Sequence, residues 1–245
     1  MDREIYARMA ELEEEHWWFV ARRRIVAQLL DRQIGASRSM RILEAGCGTG
    51  GNLSMLAQFG EVAAFEPDPE ARRLAERHGP FEILAGRLPD DIPYESASFD
   101  VVAALDVLEH VDDDYSALQS LVGRLRRGGL LLLTVPAFPF LWSIHDERHH
   151  HRRRYTRKTL CERISGAELV PIQITFFNTL LFPVIAGARI CKSVLGLDEL
   201  NDDSMPPLAL NRLLTTVFAS ERHILERTSL PVGVSLLALA RRPMA

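Results

Sequence analysis

The sequence predicts an α/β fold in which a doubly wound, mainly parallel sheet is covered by helices on both faces. From residue 40 onward, short apolar runs alternate with helix-like stretches, which is typical of parallel strands joined by helical crossovers. The chain has 245 residues, of which 47% are hydrophobic and 25% charged. That composition suits one substantial core with an appended subdomain.

The elements follow from apolar runs and from the residues that start helices. We predict strands at Met40 to Glu44, Val62 to Glu66, Phe81 to Leu84, Phe99 to Leu105, Leu130 to Val135, 168–177 and 234–242. Helices are expected to begin near Gly51, Pro69, Asp113 and Thr156. In "LRRGGLLLLTVP" we expect a helix end, a Gly-Gly stop and then a buried strand.

Four segments divide the chain. Residues 1–36 contain an amphipathic pattern with two tryptophans and are predicted to form a helical lid. Residues 37–176 are expected to form the core, and residues 231–245 to supply its last strand. Between them, residues 177–230 are too long for a plain connection and predict a helical insertion that faces the substrate or forms a dimer.

The most apolar stretch, "ITFFNTLLFPVIAGARI", is interrupted by Asn178, Pro183 and Arg189. These residues leave it short of the about 20 apolar residues that a membrane span requires. It therefore predicts a core or dimer-interface helix, and a helix that faces lipid or a lipid substrate is the alternative.

Charge and cysteine content exclude several classes of protein. A formal net charge of −4 gives no general attraction to nucleic acid or to anionic membranes. The three cysteines have no C-x-x-C spacing, which argues against a disulfide framework or a zinc ribbon. The N-terminus is acidic and amphipathic and lacks the pattern of a secretory signal, so we expect a cytoplasmic protein.

The glycine-rich segment "LEAGCGTGGN" follows the first predicted strand. Gly46, Gly48 and Gly51 fit the spacing of a Rossmann-like dinucleotide-binding loop. However, Glu44 ends the strand just before these glycines, where its charge would oppose a pyrophosphate. The loop therefore indicates a ligand with positive charge and no phosphate nearby, and a tight turn without a ligand is the alternative.

Two further acids end neighbouring strands. Glu66 lies about twenty residues beyond the loop, where an acid commonly accepts from ribose hydroxyls. This feature suits NAD and any adenosine cofactor equally. Asp106 ends the fourth predicted strand, just before "LEHV", and either borders the site of reaction or caps the following segment.

The segment "GRLPDDIPYESASFDVVAALDVLEHV", taken with the loop and Glu66, resembles class I S-adenosylmethionine-dependent methyltransferases of the broad group that includes the ubiquinone-biosynthesis O-methyltransferases. The resemblance implies a seven-stranded sheet with an antiparallel last strand, and S-adenosyl-L-methionine as cofactor with S-adenosyl-L-homocysteine as product. This cofactor carries an ammonium and a sulfonium but no phosphate, in agreement with Glu44. The cofactor-binding positions that the resemblance implies are Glu44, Gly46, Cys47, Gly48, Gly50, Asn52, Glu66, Pro67, Arg87, Leu88, Asp106 and Val107.

A stretch rich in histidine and arginine, "LWSIHDERHHHRRRYTRKTL", follows the fifth predicted strand. It resembles bacterial methyltransferases of this class that have an "H-D-E … H-x-R-R-Y" segment and an N-terminal "H-W-W-F … R". The substrate-binding residues that this resemblance implies are Trp17, Trp18, Arg22, Arg154 and Tyr155.

Three roles compete for this cluster. A histidine could remove a proton from a substrate hydroxyl beside Asp106, and His110, His145 and His151 are the candidates. Alternatively, Glu109 and His110 with a later histidine could hold a divalent metal, because "LEHV" is similar to the E-x-x-E-H of small-RNA 2′-O-methyltransferases, with Asp106 in place of the first glutamate. We predict no bound metal at this site.

The third role belongs to the basic side chains at 152–154, 157 and 158, which could bind a phosphate or carboxylate of the substrate. A solvated basic loop before a helix is the plain alternative. The tryptophans of "EEEHWWFVARRR", predicted to be helical, either cover the site or only dock the N-terminal helix.

The sequence therefore predicts a methyltransferase that acts on an oxygen of a small-molecule or lipid-linked substrate. The alternatives are a metal-assisted enzyme similar to RNA 2′-O-methyltransferases, a non-catalytic protein that binds S-adenosylmethionine, and a nicotinamide oxidoreductase, which Glu44 disfavours. We expect no nucleic-acid partner. Peripheral membrane contact and a homodimer are the associations that residues 177–230 suggest.

Overall fold

The computed structural model describes residues 3–35, 37–195 and 204–244. Seven strands form one sheet, and they are β1 (Met40–Ala45), β2 (Gly60–Glu66), β3 (Glu82–Ala85), β4 (Phe99–Leu105), β5 (Leu125–Pro136), β6 (Val170–Phe177) and β7 (Ser235–Arg241). The helices are α1 (Arg3–Leu12), α2 (Trp17–Ile34), α3 (Leu53–Leu56), α4 (Pro69–Ala75), α5 (Asp114–Arg124), α6 (Ile144–Arg148), α7 (Arg157–Gly166), α8 (Phe182–Leu195) and α9 (Leu208–Leu225).

The strand order is β3-β2-β1-β4-β5-β7-β6, and only β7 runs antiparallel to its neighbours. This confirms the predicted seven-stranded sheet with a reversed last strand. Since β1 and β4 are neighbours, the crossovers leave in opposite directions from this point. Open sheets of this kind bind ligands at the carboxyl ends of the strands next to such a switch point.

The two faces of the sheet are buried in separate cores. Alternate residues of a strand point to opposite faces, so Val102 and Ala104 of β4 join one core while Val101 and Ala103 join the other. The first core is completed by α5 and α7, and the second by α2, α3 and α9. The strands are apolar on both faces for this reason, which is what made them recognisable in the sequence.

The predicted helix starts are confirmed, and caps explain two of them. Asp68 accepts hydrogen bonds from the first amides of α4. Thr156 and the residue three positions later form a capping box at α7. Such caps satisfy amides that have no partner within the helix.

The start of β5 differs from the prediction. Helix α5 ends at Arg124 and the strand begins at Leu125, so the two glycines lie inside the strand rather than between the two elements. The pairing with β4 shifts register after Phe99, and Gly128 has a φ of 76°. The glycines therefore allow the first part of β5 to be irregular. In the sequence, a Gly-Gly pair at such a strand irregularity looks the same as one that ends a helix.

The N-terminal segment also differs, because the run of three glutamates is not helical. Helix α1 ends at Leu12 and α2 begins at Trp17. His16 is the N-cap of α2, and its side chain accepts from the Trp18 amide at 3.4 Å. This break turns α1 away from α2 and over the sheet edge, where α1 packs on α4 through Tyr6.

Residues 177–195 and 204–230 contribute to the site and to the core. Helix α9 packs along α2 and buries Phe218 in the second core. The apolar stretch predicted as one helix begins in β6 instead, and α8 starts only at Phe182. Val184 of α8 is 71% exposed. Within the described ranges, none of the helices combines the length and the apolar character needed to cross a bilayer.

Candidate active site

A cavity of about 1580 Å³ opens at the carboxyl edge of the sheet. The loops after β1, β2 and β4 form one side of it, the histidine-rich segment after β5 forms another, and α1 and α2 cover it. The predicted site residues that line it are Trp17, Trp18, Arg22, Gly46, Cys47, Gly48, Asn52, Glu66, Pro67, Arg87, Leu88, Asp106, Val107, His110, His145, His151 and Arg154.

Three predicted site residues lie elsewhere. Tyr155 is 2% exposed within the first core, and its hydroxyl donates to Asp114 at 2.8 Å, so it supports the fold and does not reach the cavity. Gly50 packs against Ala75 behind the loop. Glu44 is buried beneath the cavity wall. These placements correct the expectation that all three contact a ligand directly.

The glycine loop turns sharply after β1. Gly46, Gly48 and Gly50 have φ values of 64°, 54° and 93°, which side chains rarely adopt. The glycines that the backbone conformation requires therefore follow the pattern G-x-G-x-G. Gly51 of the predicted template has a different reason to be glycine, because a Cβ there would lie 2.4 Å from a Glu13 oxygen. A Cβ on Gly48 would meet nothing within 4 Å, so the loop leaves room there for a ligand.

Glu66, at the end of β2, is held beside this loop by backbone amides. Its carboxylate accepts from the amide of Gly48 at 3.0 Å and from that of Asp68 at 3.1 Å. Burial raises the pKa of Glu66 despite these bonds. The acid faces the cavity at the position where the sequence predicted a ribose partner.

Glu44 is connected to the cavity by a hydrogen bond to Asn52. The Asn52 amide donates to Glu44 at 2.9 Å, and Asn52 itself lines the cavity. Burial raises the pKa of Glu44 to about 7, and its second oxygen has no hydrogen-bond partner among the described residues. Glu44 therefore contacts the Asn52 amide and does not line the cavity itself.

Arg22 of α2 joins this group to Asp106. One guanidinium nitrogen donates to the Asp106 carboxylate and the other to Asn52 at 3.2 Å. The guanidinium carbon of Arg22 lies over the face of the Trp18 ring, 4.6 Å from the ring centroid. Asp106 itself has a φ of 60°, an uncommon backbone conformation for this residue type. Asp106 therefore binds Arg22 and does not cap the following segment.

Glu13 is a site residue that the sequence did not reveal. It lies between α1 and α2 and accepts from the Thr49 hydroxyl of the glycine loop at 2.6 Å. Its other oxygen is 3.1 Å from His78, after α4. In the sequence, a run of three glutamates looks like a solvent-exposed helix face. No local pattern indicates that Glu13 is buried, with 4% of its surface exposed.

The tryptophans have different environments. The backbone amide of Trp17 donates to Asn211 of α9 at 2.8 Å, and its ring packs edge-on against Phe218. Trp18 instead stacks with Arg22. Trp17 thus docks α2 onto α9, while both indoles also contribute to the cavity wall.

The opposite side of the cavity is rich in histidine, and we call Glu109, His110 and His151 its histidine wall. Glu109 and His110 lie in a short 3-10 turn after β4. The backbone carbonyl of Glu109 accepts from Arg152 at 2.6 Å, which pins the segment after β5 against this turn. The rings of His110 and His151 meet edge to face with centroids 4.7 Å apart.

His151 is oriented from behind by Asp146. Its Nδ1 is 2.8 Å from an Asp146 carboxylate oxygen, so its Nε2 faces away from Asp146. Arg154 donates two hydrogen bonds to Asp146, at 2.8 and 2.9 Å, and a third to the Ala137 carbonyl. Arg154 thus lines the cavity with its donors bonded to Asp146 and Ala137, and its role in binding substrate stays a prediction.

Burial shifts the pKa values of His110 and Glu109 in opposite directions. Burial and the neighbouring histidines lower the pKa of His110 to about 3, so its imidazole is neutral at pH 7 and only weakly basic. Burial and the nearby Asp106 raise the pKa of Glu109 well above its ordinary value. His110 is therefore poorly suited to hold a proton taken from a substrate.

The basic run after the cluster is largely neutralised by acids. Arg152 pairs with Asp112, Arg153 with Asp114, and Lys158 with Glu162. Together with the pair between Arg154 and Asp146, these pairs reduce the net positive charge of the run. The third predicted role of the cluster is accordingly the least supported by the geometry.

Comparison with known proteins gives the family. Residues 17–174 match a family model described as "Methyltransferase domain". The chain belongs to this methyltransferase family. It is a member of the class I, S-adenosylmethionine-dependent group, as the sequence predicted.

Two curated relatives are O-methyltransferases by name. The chain is 38% identical over 170 residues to a ubiquinone biosynthesis O-methyltransferase of Methylocella silvestris, covering 62% of this chain and 65% of that protein. It is 31% identical over 147 residues to a malonyl-[acyl-carrier protein] O-methyltransferase of Enterobacter lignolyticus, covering 57% and 59%. The chain therefore spans less than two thirds of the length of these relatives.

Solved structures share the fold of this chain. A complex between the Haloferax volcanii Trm112 methyltransferase activator and a methyltransferase superposes with a TM-score of 0.64 at 18% identity, covering 98% of this chain and 95% of the other. A geranyl diphosphate C-methyltransferase from Streptomyces coelicolor superposes with a TM-score of 0.60 at 15% identity, covering 88% and 78%.

The described cavity fits the methyltransferase cofactor. The open space at Gly48, the carboxylate of Glu66 and the polar floor of Asn52, Arg22 and Asp106 lie along one side of it. Asn178, directly after β6, adds a buried amide whose oxygen and nitrogen have no partner among the described residues. A polar residue directly after an apolar strand was the only signal for it.

Proposed function

We propose that this protein transfers a methyl group from S-adenosylmethionine to an oxygen of a small-molecule or lipid-linked acceptor. The observation that carries the proposal is one continuous cavity with a cofactor side at the glycine loop and a histidine wall opposite, with Asp106 at their junction. The relatives named as O-methyltransferases support the choice of oxygen.

We assign the cofactor side by the chemistry of its groups. Glu66 accepts from ribose hydroxyls, and Gly48 leaves the space that the cofactor fills. Arg22 presents guanidinium donors, and Asn52 an amide, to the amino-acid end. When bound, S-adenosylmethionine supplies a methyl group on a sulfonium, a leaving group that needs no further activation by the protein.

The chain's own task is then to align and desolvate the acceptor oxygen. Alignment of two reactants can supply about 7 to 11 kcal/mol in favourable cases. Apolar wall residues such as Trp18, Phe19 and Ile185 suit an acceptor that is partly apolar. Asp106, fixed by Arg22, borders the position between cofactor and histidine wall and takes the role of a positioning residue.

The proposal is tested first by calorimetry with S-adenosylhomocysteine and with NAD. We expect the protein to bind S-adenosylhomocysteine and not NAD. Binding of NAD without binding of S-adenosylhomocysteine would overturn the proposal in favour of a nicotinamide enzyme.

Transfer is then tested with methyl-labelled S-adenosylmethionine and phenol, alcohol, carboxylate and amine acceptors that carry apolar tails. Mass spectrometry of the product is expected to place the methyl on oxygen. Methylation of the amine alone contradicts the oxygen assignment, and cofactor binding with no transfer to any acceptor class favours a non-catalytic binding protein.

A further inference from the structure

The cavity wall contains a buried side-chain amide at Asn178, directly after β6. Asn178 is 0% exposed and lines the cavity. Neither its amide oxygen nor its amide nitrogen has a hydrogen-bond partner among the described residues. A buried polar group without a partner costs free energy, and native proteins seldom keep one. The cavity is therefore the side from which a partner would come.

The strand order separates Asn178 from the cofactor side. β6 and β4 are three places apart in the sheet, which is about 14 Å at the usual spacing of about 4.8 Å between neighbouring strands. Gly48 and Glu66, to which we assign the cofactor, follow β1 and end β2, on the other side of β4. Asn178 therefore lies beyond the reacting position beside Asp106, where the methyl-accepting substrate extends and the cofactor does not.

The backbone around Asn178 is held from two directions. From α9, the buried Glu221 accepts a hydrogen bond from the Leu180 amide at 2.7 Å. From the segment before β7, the Val234 amide donates to the Asn178 carbonyl at 3.4 Å. These bonds fix the position of Asn178 before a ligand arrives, and such preorganisation lowers the cost of binding.

The backbone conformation gives a competing reason for asparagine at this position. Asn178 has a φ of 56°, in the left-handed region that asparagine tolerates better than most residues. However, glycine adopts this conformation more readily still, and it would bury no unpaired amide. The conformation therefore limits the residue types that fit, but it does not explain why a buried amide is kept.

Apolar residues line the cavity beside Asn178. Val234 and Pro136, which ends β5, are two of them. Because Ser235 pairs with Pro136 on one side and with Phe177 on the other, the ends of β5 and β6 and the start of β7 lie side by side. The part of the substrate that approaches Asn178 therefore meets apolar surface.

We propose that Asn178 is a substrate-specificity residue that binds an amide group of the methyl-accepting substrate, and this inference rests on the proposed function. The asparagine side chain presents N–H donors and a carbonyl together, so a ligand satisfies both only if it offers an acceptor and a donor. An amide offers both, whereas a carboxylate leaves the Asn178 carbonyl unpaired. Because the side chain lies just beneath the cavity surface, the contact requires a small rotation toward the cavity.

The class of substrate follows from these placements. Its reacting oxygen lies near Asp106, an apolar middle part crosses the ends of β5 and β7, and its amide contacts Asn178 at the far end. The amide is therefore expected within about 14 Å of the reacting oxygen, the distance that three strand spacings give.

The proposal is tested with phenols whose straight tails increase in length and end in a methyl group, a primary carboxamide or a carboxylate. Titration calorimetry with the full chain, with and without S-adenosylhomocysteine, gives the affinity of each probe. At the best tail length, the carboxamide is expected to bind about 10- to 100-fold more tightly than the methyl-ended probe, because it forms two hydrogen bonds to a group that is otherwise unpaired. In transfer assays with the same probes, the preference should appear in KM and not in kcat.

Asn178→Gly removes the amide and keeps a residue type that adopts a φ of 56°. Thermal unfolding is expected to resemble that of the wild type, and the preference for the carboxamide should disappear. Glu168→Gly is the matched control, because Glu168 has a φ of 58° but is exposed and does not line the cavity. It should keep the full preference. If Asn178→Gly does not fold, Asn178→Asp takes its place, since aspartate also tolerates this conformation but lacks the N–H donors.

Equal affinity of the wild type for carboxamide- and methyl-ended probes overturns the proposal, as does a preference that Asn178→Gly retains. In either case Asn178 holds a buried water at most. Tightest binding of the carboxylate-ended probe overturns the assignment of an amide.

The binding of S-adenosylhomocysteine separates this inference from the proposed function. A preference for the carboxamide without S-adenosylhomocysteine binding and without methyl transfer overturns the proposed function alone. S-adenosylhomocysteine binding and methyl transfer without that preference overturn the role of Asn178 alone.

Discussion

The two sides of the cavity differ in how their polar groups are satisfied. On the cofactor side, Arg22, Asn52 and Asp106 bond to one another, and Glu66 is held by two amides. On the histidine wall, Glu109 has no hydrogen-bond partner among the described residues. The comparison teaches that the Arg22 network is bonded internally before a ligand arrives, whereas the Glu109 carboxylate is buried without a hydrogen-bond partner among the described residues.

The largest effect is expected from Arg22→Met, which removes the central donor of the preorganised side. Truncating one partner of a buried ion pair costs about 3 to 5 kcal/mol. Thermal unfolding should show this loss, and methyl transfer should fall at least about 100-fold because Asp106 loses its position. Arg24→Met, exposed on the same helix, is the control. Stability equal to that of the control would show that the group is not built in advance.

Gly50→Ala is expected to cost about 2 to 3 kcal/mol of folding stability. Its φ of 93° is strained for alanine, and the new Cβ would lie 2.9 Å from the Cα of Ala75. Chemical denaturation measures the loss, and S-adenosylhomocysteine affinity should fall with it. Gly123→Ala, where a Cβ meets nothing within 4 Å, should be neutral or slightly stabilising. Equal stabilities for the two variants would contradict the described loop.

Glu66→Gln tests the ligand contacts of the preorganised side. Hydrogen bonds to a charged group contribute about 1.5 to 3 kcal/mol, so calorimetry should show S-adenosylhomocysteine binding weakened about 10- to 100-fold. Glu70→Gln, on the surface of α4, should bind like the wild type. Unchanged affinity in Glu66→Gln would remove this acid from the cofactor site.

Glu44→Gln is expected to change the pH dependence of stability. The pKa of Glu44 is raised to about 7 in the folded protein by burial, so its proton is held between about pH 4.5 and 7 and ionisation destabilises the fold at higher pH. The variant should therefore exceed the wild type in stability by about 1 to 3 kcal/mol at pH 8 and by less at pH 5. Denaturation at both pH values measures this, with Glu61→Gln, exposed on β2, as control. A gain that is equal at both values would mean that Glu44 is ionised throughout.

The smallest effect is expected from Glu109→Gln in the protein without ligands. Because neither carboxylate oxygen has a described partner, the amide loses no hydrogen bond. At about pH 4 the raised pKa of Glu109 has little effect on stability, because the acid is largely protonated in the unfolded chain as well, and the stability should change by less than about 1 kcal/mol. Thermal unfolding beside Arg22→Met measures the contrast between the two sides. A large loss in Glu109→Gln would show that the histidine wall is built in advance as well.

Most of the fold could be predicted because strands buried on both faces are continuous apolar runs, as in β1, β4 and β7. The beginning of β5 could not, because a glycine pair serves a strand irregularity and a helix stop equally well. The break before Trp17 was missed since His16 is an unusual cap, and acidic runs are otherwise good helix formers.

The candidate site divides in the same way. Glu66 and Asp106 were recognisable because the ends of parallel strands meet at one edge. The contact of Glu13 with Thr49 depends on how α1 docks, which no local pattern encodes. Likewise, the acid at Glu44 was recognisable in the sequence, but its hydrogen bond from the Asn52 amide was not.

The reversed last strand has a consequence for synthesis on the ribosome. In the described sheet β6 pairs with β7 and, at Phe176, with Leu230, so its amides and carbonyls lack most of their strand partners until β7 has been made. The nascent chain must carry β6 as an exposed apolar edge during that interval, a state prone to association. Shielding by a holdase chaperone would matter most at this stage.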